Sequence, residues 1–135
     1  MRFLTTPAFA EYGDMYSDGV ETPPGSRWLH TAGQVALRAD GSVPATFAEQ
    51  CEQALRNLIV VLEAARMTPA DIVKLTCYVV GAQDPELLYA ARRTLLEGSA
   101  PAATLIVVQA LAAPELLVEI EAVAAASDPG KQPVT

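Results

Sequence analysis

The sequence predicts one α+β domain, in which two helices pack on one face of a mixed sheet of six strands. The first observation is the order of the segments: β-like runs precede, separate and follow two amphipathic helical segments. The second is the length, because 135 residues fit one domain with a sizeable core. The third is the composition, 51% hydrophobic but only 6% aromatic. The core should therefore consist mainly of Ala, Val and Leu.

The first third of the chain predicts three strands joined by turns. Short strands are expected at 2–5 and 18–21, followed by a turn in TPPGS, residues 22–26. The run WLHTAGQVAL at 28–37 is apolar and predicts a longer strand. Gly33 lies in its middle, and a glycine inside a strand often marks a bulge or a close approach to the backbone.

Two helices are indicated by their start signals and apolar spacing. A Thr-x-x-Glu capping box at Thr46 predicts a helix over 47–66. Asp84 followed by proline predicts the start of a second helix over 85–97, which Gly98 would end. The apolar stripe of the first helix recurs every three or four residues. Its members are Phe47, Cys51, Leu55, Leu58, Leu62 and Ala65.

Three further strands are predicted at 72–80, 103–111 and 115–124. In the last of them apolar and acidic residues alternate, so Glu119 and Glu121 share one face of the strand. The opposite, apolar face suits a core. The two carboxylates either lie on a solvated face or include one that faces a cleft, and the strand pattern alone fits both readings.

A single helical layer covers only one face of a sheet, which has a consequence for assembly. The other face is predicted to be bare and apolar, so oligomerisation is expected. The domain is predicted to span 1–127, and the polar tail at 128–135 is expected to be disordered.

Composition and charge disfavour several classes of protein. A net charge of -7 repels phosphate backbones, so no nucleic-acid partner is expected. Neither a signal peptide nor an apolar run of the roughly 20 residues that span a bilayer is present, which predicts a cytoplasmic protein without a membrane partner. Cys51 and Cys77 could form one disulfide, but two buried, reduced thiols are the simpler expectation. With one histidine and no Cys/His cluster, no metal site and no cofactor are predicted.

Six segments in a fixed order carry a family resemblance. They are YSDGV at 16–20, TAGQV at 31–35, the helix with Gln50, Ala54 and Asn57, DIVKLTCYV at 71–79, PAATLIVVQAL at 101–111 and VEIEAVA at 118–124. With these segments the chain resembles the RidA/YjgF family of small trimeric proteins. The resemblance implies a chorismate-mutase-like α+β fold, a homotrimer and ligand clefts between neighbouring subunits. The best-known members hydrolyse reactive enamines and imines, such as 2-aminoacrylate, to 2-oxo acids and ammonia.

The resemblance also assigns candidate site residues. Glu119 falls at the position of the glutamate that positions water in the family's imine deaminases. Gly33 matches a glycine whose amide belongs to the cleft, and Ala32 replaces the serine before it. Tyr16 matches a cleft tyrosine when the count runs back from the following glycine, whereas a forward count gives Met15.

One position departs from the family pattern. Ala103 stands where the deaminases carry the arginine that binds the substrate carboxylate, and Leu105 stands where cysteine is frequent. No Lys or Arg occurs between Arg93 and Lys131. A carboxylate in a water-poor cleft needs such a partner. Low activity on 2-aminoacrylate is therefore expected, unless an arginine from another segment or subunit takes this place.

Two function classes therefore stay open. One is a hydrolase or deaminase-like enzyme acting on a small reactive metabolite in an intersubunit cleft. The other is a trimeric small-molecule binding or chaperone-like module without catalysis. Endoribonuclease action is disfavoured by the negative charge.

Overall fold

A computed structural model of the chain describes residues 1–12, 15–97 and 99–128. Gly98 and the end of the predicted tail therefore lie outside the described residues. The elements, in chain order, are β1 (Arg2–Leu4), β2 (Gly19–Glu21), β3 (Arg27–His30), β4 (Gln34–Val35), α1 (Phe47–Ala64), β5 (Ile72–Val80), α2 (Pro85–Leu95), β6 (Ala102–Val108) and β7 (Val118–Ala126). Short 3₁₀ turns at Pro7–Tyr12 and Pro69–Asp71 lie between them.

Both helices start where the sequence predicts and end slightly earlier. The Thr46 side chain accepts a hydrogen bond from the Glu49 backbone N–H at 3.3 Å. Asp84 does the same for the Glu86 N–H at 3.0 Å. These bonds satisfy amides that have no partner inside the helix. α1 ends two residues before the predicted boundary because Arg66 adopts a left-handed backbone with φ of 56°.

The α+β class is confirmed, but the predicted six-stranded sheet is wrong in detail. Five strands of the described chain form the main sheet, in the order β3-β7-β5-β6 with β4 also paired to β7. Only β5 and β6 run parallel. β1 and β2 form a separate two-stranded ribbon. Its link to the sheet is a bridge between Ser17 and Ala102.

The predicted strand at 28–37 is divided into β3 and β4. Thr31 interrupts the regular ladder because its hydroxyl, rather than a backbone carbonyl, accepts the Ala122 N–H at 3.0 Å. Its own N–H still donates to the Ala122 carbonyl. Gly33 lies within the break, as the position of a glycine inside a strand suggested.

The core lies between the two helices and one face of the sheet. Alternate residues of β7 face the helices and are almost fully buried: Val118, Ile120, Ala122 and Ala124. Leu75 and Cys77 of β5 do the same. Leu55, Leu58 and Leu62 of α1 pack onto this face from above. The low aromatic content is reflected in a core of aliphatic side chains.

The other sheet face, called here the open face, is not covered by any described element. The expectation that it would be apolar is wrong, because its centre is polar. Its polar members are Lys74, Thr76, Tyr78, Thr104, Glu119 and Glu121, and its apolar ones include Val80, Ile106, Val108 and Val123. The alternation along β5, β6 and β7 places two carboxylates, a lysine and a phenol together there.

Candidate functional site

Glu119 lies directly over Gly33. A Cβ atom at position 33 would fall 2.8 Å from Cδ and 2.9 Å from Cγ of Glu119. Those distances are well inside van der Waals contact, so only glycine leaves room for this side chain. β4 holds the geometry, since Val35 pairs with Glu119 across the ladder. Glu119 is half-buried, with its carboxylate against the backbone of the Gly33 segment.

Glu121 has a different environment on the same strand face. Its Oε1 accepts a hydrogen bond from the Tyr78 hydroxyl at 2.6 Å. This bond favours the protonated phenol and raises the pKa of Tyr78, and the charge of Glu119 adds to the effect. Glu121 also lines a cavity of about 190 Å³ with His30, Lys74 and Thr76. Glu121 is thus held by a phenol across the strands, whereas Glu119 lies on a glycine.

Lys74 contributes the positive charge of the open face. Its Nζ donates to Thr104 Oγ1 at 2.6 Å, across the parallel β5–β6 pair. No Lys74–carboxylate ion pair occurs among the described residues. The lysine lines the cavity that Glu121 also lines. The open face therefore carries both a cation and two carboxylates.

Three of the predicted ligand residues line a second cavity, of about 210 Å³. Tyr16, Ala103 and Leu105 belong to its wall, together with Thr104, Leu88 and Tyr89. We call this the β6 cavity. Ala103 and Leu105 pair with Leu75 and Cys77 in the ladder, so they lie on the helix side of the sheet.

Within one chain, the structure does not bring Glu119 and Gly33 together with the residues of the β6 cavity. Glu119 lies on the open face of β7, while the β6 cavity opens at the edge strand on the helix side, with β5 between the two strands. Ala32 is exposed, and its carbonyl accepts a hydrogen bond from Gln34 Nε2 at 3.2 Å. Glu119 and Gly33 thus form one group of predicted site residues, and Tyr16, Ala103 and Leu105 form another, and these two groups are the candidate half-sites.

Tyr16 and Met15, the two candidates for the tyrosine position, have different surroundings in the structure. Tyr16 lines the β6 cavity. Met15 contributes its backbone carbonyl to a hydrogen bond from the Arg92 side chain, at 2.9 Å. Tyr16 thus lies on the wall of the β6 cavity, while the Met15 backbone is bound by Arg92.

Arg92 is the residue that reasoning from sequence missed. It lines the β6 cavity and is only 7% exposed. Burial lowers its pKa from the usual value. A signal was present, because Arg92 lies four residues after Leu88 on the apolar stripe of α2. A charged residue on a buried helix face suggests a partner.

The two thiols are free and buried, as predicted. Cys77 lies on the wall of the β6 cavity, but burial raises its pKa to about 11. The thiol is therefore protonated at neutral pH and a poor nucleophile. Among the described residues there is no cluster of three or more metal-ligating side chains. None of the helices they form is long and apolar enough to cross a bilayer.

Comparison with known proteins gives the class of this fold and site. Residues 8–126 match the family described as Endoribonuclease L-PSP. The Rid-family protein YyfB of Yersinia pestis, of unknown function, is 40% identical in a solved structure with a TM-score of 0.78, covering 91% of this chain and 96% of that one. Escherichia coli TdcF with bound serine has a TM-score of 0.70 at 23% identity over 94% of this chain and 100% of TdcF, which shows the shared fold.

A shorter match in sequence points to the same group. A RutC family protein of Haemophilus influenzae is 42% identical over 55 residues. That match covers 40% of this chain and 42% of the length of the relative. The chain belongs to the Endoribonuclease L-PSP family, which is the RidA/YjgF family that its segments resemble.

Proposed function

We propose that the protein is a hydrolase or deaminase-like enzyme that acts on a small reactive metabolite, with Glu119 as its acid–base residue. The observation that carries this proposal is the contact between Glu119 and Gly33. A glycine that leaves room for the Glu119 side chain supports a group placed for chemistry rather than for solvation. A carboxylate held in this way can orient water or transfer a proton.

The complete cleft, in this proposal, forms between two subunits of a homotrimer. Each of the two half-sites in one chain lacks what the other has. Glu119 and Gly33 supply the acid–base group, while Tyr16, Ala103 and Leu105 line a cavity at an exposed strand edge. A second copy that covers the open face would bring its β6 cavity toward Glu119. The apolar residues that the open face also exposes, such as Ile106 at 41%, support such an assembly, because a second copy would remove them from water.

Hydrolysis of 2-aminoacrylate itself should be slow. Ala103 is too short to contact a substrate carboxylate, so the arginine function of the deaminases has to come from elsewhere in the cleft. The substrate is thus expected to be a reactive imine or enamine, or a related carbonyl compound, that this cleft holds differently.

The experiment that tests the proposal is a screen followed by kinetics. Wild-type protein is screened by thermal shift against small imine precursors, 2-oxo acids, aldehydes and lactams, and each compound that stabilises it is assayed for turnover. The proposal predicts at least one compound that both stabilises the protein and is hydrolysed. Generated 2-iminobutyrate serves as the reference reaction.

The outcome also separates the enzyme from the binding module. Stabilisation without turnover of any compound would contradict the proposal and favour a non-catalytic trimeric module. Turnover that persists in a Glu119→Gln variant would leave the enzyme class intact but remove Glu119 from the mechanism.

A further inference from the structure

Arg92 is a buried cation on the helix that covers the sheet. Arg92 is 7% exposed. It lies on the buried side of α2 together with Leu88 and Ala91. Removing a guanidinium from water is costly unless charge partners and hydrogen bonds replace the lost hydration. The groups around Arg92 therefore show how far its charge is compensated within the chain.

The described neighbours compensate this charge only in part. One guanidinium N–H donates to the Met15 carbonyl at 2.9 Å. The Tyr89 ring lies 6.0 Å from Cζ, at the outer limit of a cation–π contact. Among the described residues the ion pairs are Arg2–Glu21 and Arg93–Glu86, and no carboxylate pairs with Arg92. A guanidinium carries five N–H donors, and Arg92 presents its side chain to the wall of the β6 cavity as well as to Met15.

The β6 cavity is where such a partner would fit. Arg92 lines this cavity of about 210 Å³, and Tyr16 and Tyr89 line it from the helix side of the sheet. Leu88, Ala103 and Leu105 supply apolar walls. Ala103 matters through its size, because a longer side chain at this helix-facing position would occupy the space beside the guanidinium. A short residue on β6 and a long cation on α2 thus complement each other.

From this arrangement we infer that Arg92 forms a carboxylate-binding subsite, which takes a small monocarboxylate with a short aliphatic or polar tail. One guanidinium matches one carboxylate in a planar, two-bond arrangement. The mixed walls suit a molecule of a few carbons. The inference rests on the proposed function and deepens it, since it names the substrate class and supplies from α2 the cation that β6 lacks.

Binding of 2-oxobutyrate, measured by ligand-observed NMR titration of the assembled protein, tests the subsite. The neutral methyl ester of 2-oxobutyrate is the matched ligand without the charge. Saturable binding is expected for the acid and not for the ester. Arg92→Met, which keeps the length of the side chain and removes the charge, should weaken binding by at least about tenfold, the scale of one charge-assisted pair. Arg93→Met is the control, because Arg93 is exposed and pairs with Glu86 at 2.7 Å.

A measurement without ligand separates a binding role from a structural one. If Arg92 is present for a ligand, the ligand-free Arg92→Met variant should melt at the same temperature as wild type or higher, because a buried charge that is only partly compensated is gone. If Arg92 is there to fix the Met15 carbonyl, the variant should melt lower. A second variant, Ala103→Leu, keeps the arginine and fills the cavity beside it. That variant should also lose binding of 2-oxobutyrate.

The results overturn the inference in clearly defined ways. Equal binding of acid and ester, no saturable binding of the acid, or unchanged affinity in both Arg92→Met and Ala103→Leu would each contradict the subsite. Failure of the proposed function looks different. Carboxylate binding that depends on Arg92, in a protein that turns over no compound, would leave the subsite standing and remove the enzyme.

Discussion

The two faces of the central sheet follow the same alternating pattern and have different tasks. On β7 the helix-facing residues Val118 and Ile120 are fully buried, and their stabilising role is clear from their surroundings. Between them Glu119 lies over Gly33, and Glu121 bonds to Tyr78 on the open face. The helix-facing side of the sheet is fully packed within the single chain. The open face presents half-buried and exposed polar groups, which include two hydrogen-bonded pairs across the strands, and no described element covers it.

This difference teaches where in the molecule substitutions should affect stability and where they should affect function. Apolar residues under the helices contribute to the free energy of folding, whereas the carboxylates on the open face would cost free energy only where burial removes them from water without a partner. Four substitutions or measurements test this division, and a fifth tests its central claim.

The largest effect is expected from Leu75→Ala on the covered face. Leu75 is fully buried, so truncation leaves a cavity and should lower the free energy of unfolding by about 2–5 kcal/mol. Ile106→Ala on the open face is the control, since that side chain is 41% exposed in the single chain. Chemical denaturation at a low protein concentration measures both. Equal losses would show that the faces do not differ.

Assembly is the next test, because the open face needs a cover. A homotrimer is predicted, so light scattering after gel filtration should give about three times the 14.3 kDa of one chain. Burial of Ile106 in the assembly would also make the Ile106→Ala effect grow with protein concentration. A stable monomer at micromolar concentration would show that the open face is solvated.

Gly33→Ala should damage function without unfolding the protein. The new Cβ would collide with the flexible end of the Glu119 side chain, which can move away, so the fold should survive. Turnover of whichever compound the screen identifies should fall on the order of tenfold. Gly19→Ala is the matched control, because the atom nearest to its Cβ is Leu4 Cδ1 at 3.9 Å. In a Glu119→Gln background Gly33→Ala should add little. Independent, additive losses would disprove that the glycine acts through Glu119.

The smallest effect concerns the phenol of Tyr78, whose pKa is raised above its usual 10.0, first by the hydrogen bond to Glu121. A raised folded-state pKa means that this contribution to stability is complete below about pH 10 and is lost as the pH rises through the folded value. Phenolate absorbance against pH should show a component above pH 10 that Tyr78→Phe removes. Glu121→Gln should lower that pKa more than Glu119→Gln does, since Glu119 acts only through its charge. The reverse order would contradict the hydrogen-bond assignment.

Much of the fold was predictable because it depends on local signals. Thr46 and Asp84 cap their helices as their spacing indicates, and the alternation around Glu119 and Glu121 places both on one face. The division of the strand at 28–37 was not predictable. It depends on a hydroxyl of Thr31 that replaces a backbone partner in a ladder with a distant strand.

The candidate site was only partly accessible from the sequence. The contact of Glu119 with Gly33 joins residues far apart in the chain and was suggested by the family resemblance alone. The burial of Arg92 was not predicted, because a charged helix residue is usually solvent-exposed. Its position on the apolar stripe of α2 is the signal that indicates burial. The polar centre of the open face follows from alternation along β5, where Lys74, Thr76 and Tyr78 lie opposite the buried side, whereas the absence of a second helical layer says nothing about polarity.

The most direct test of the central claim, that Glu119 is functional and Glu121 is structural, compares Glu119→Gln with Glu121→Gln. Both substitutions keep the shape, remove one charge and lie on the same face of β7. Turnover, or ligand affinity if the protein is a binder, should fall at least roughly tenfold, about 1.4 kcal/mol, in Glu119→Gln while the assembly survives. Glu121→Gln should change it little. Equal effects of the two substitutions, or no effect of Glu119→Gln, would contradict the account.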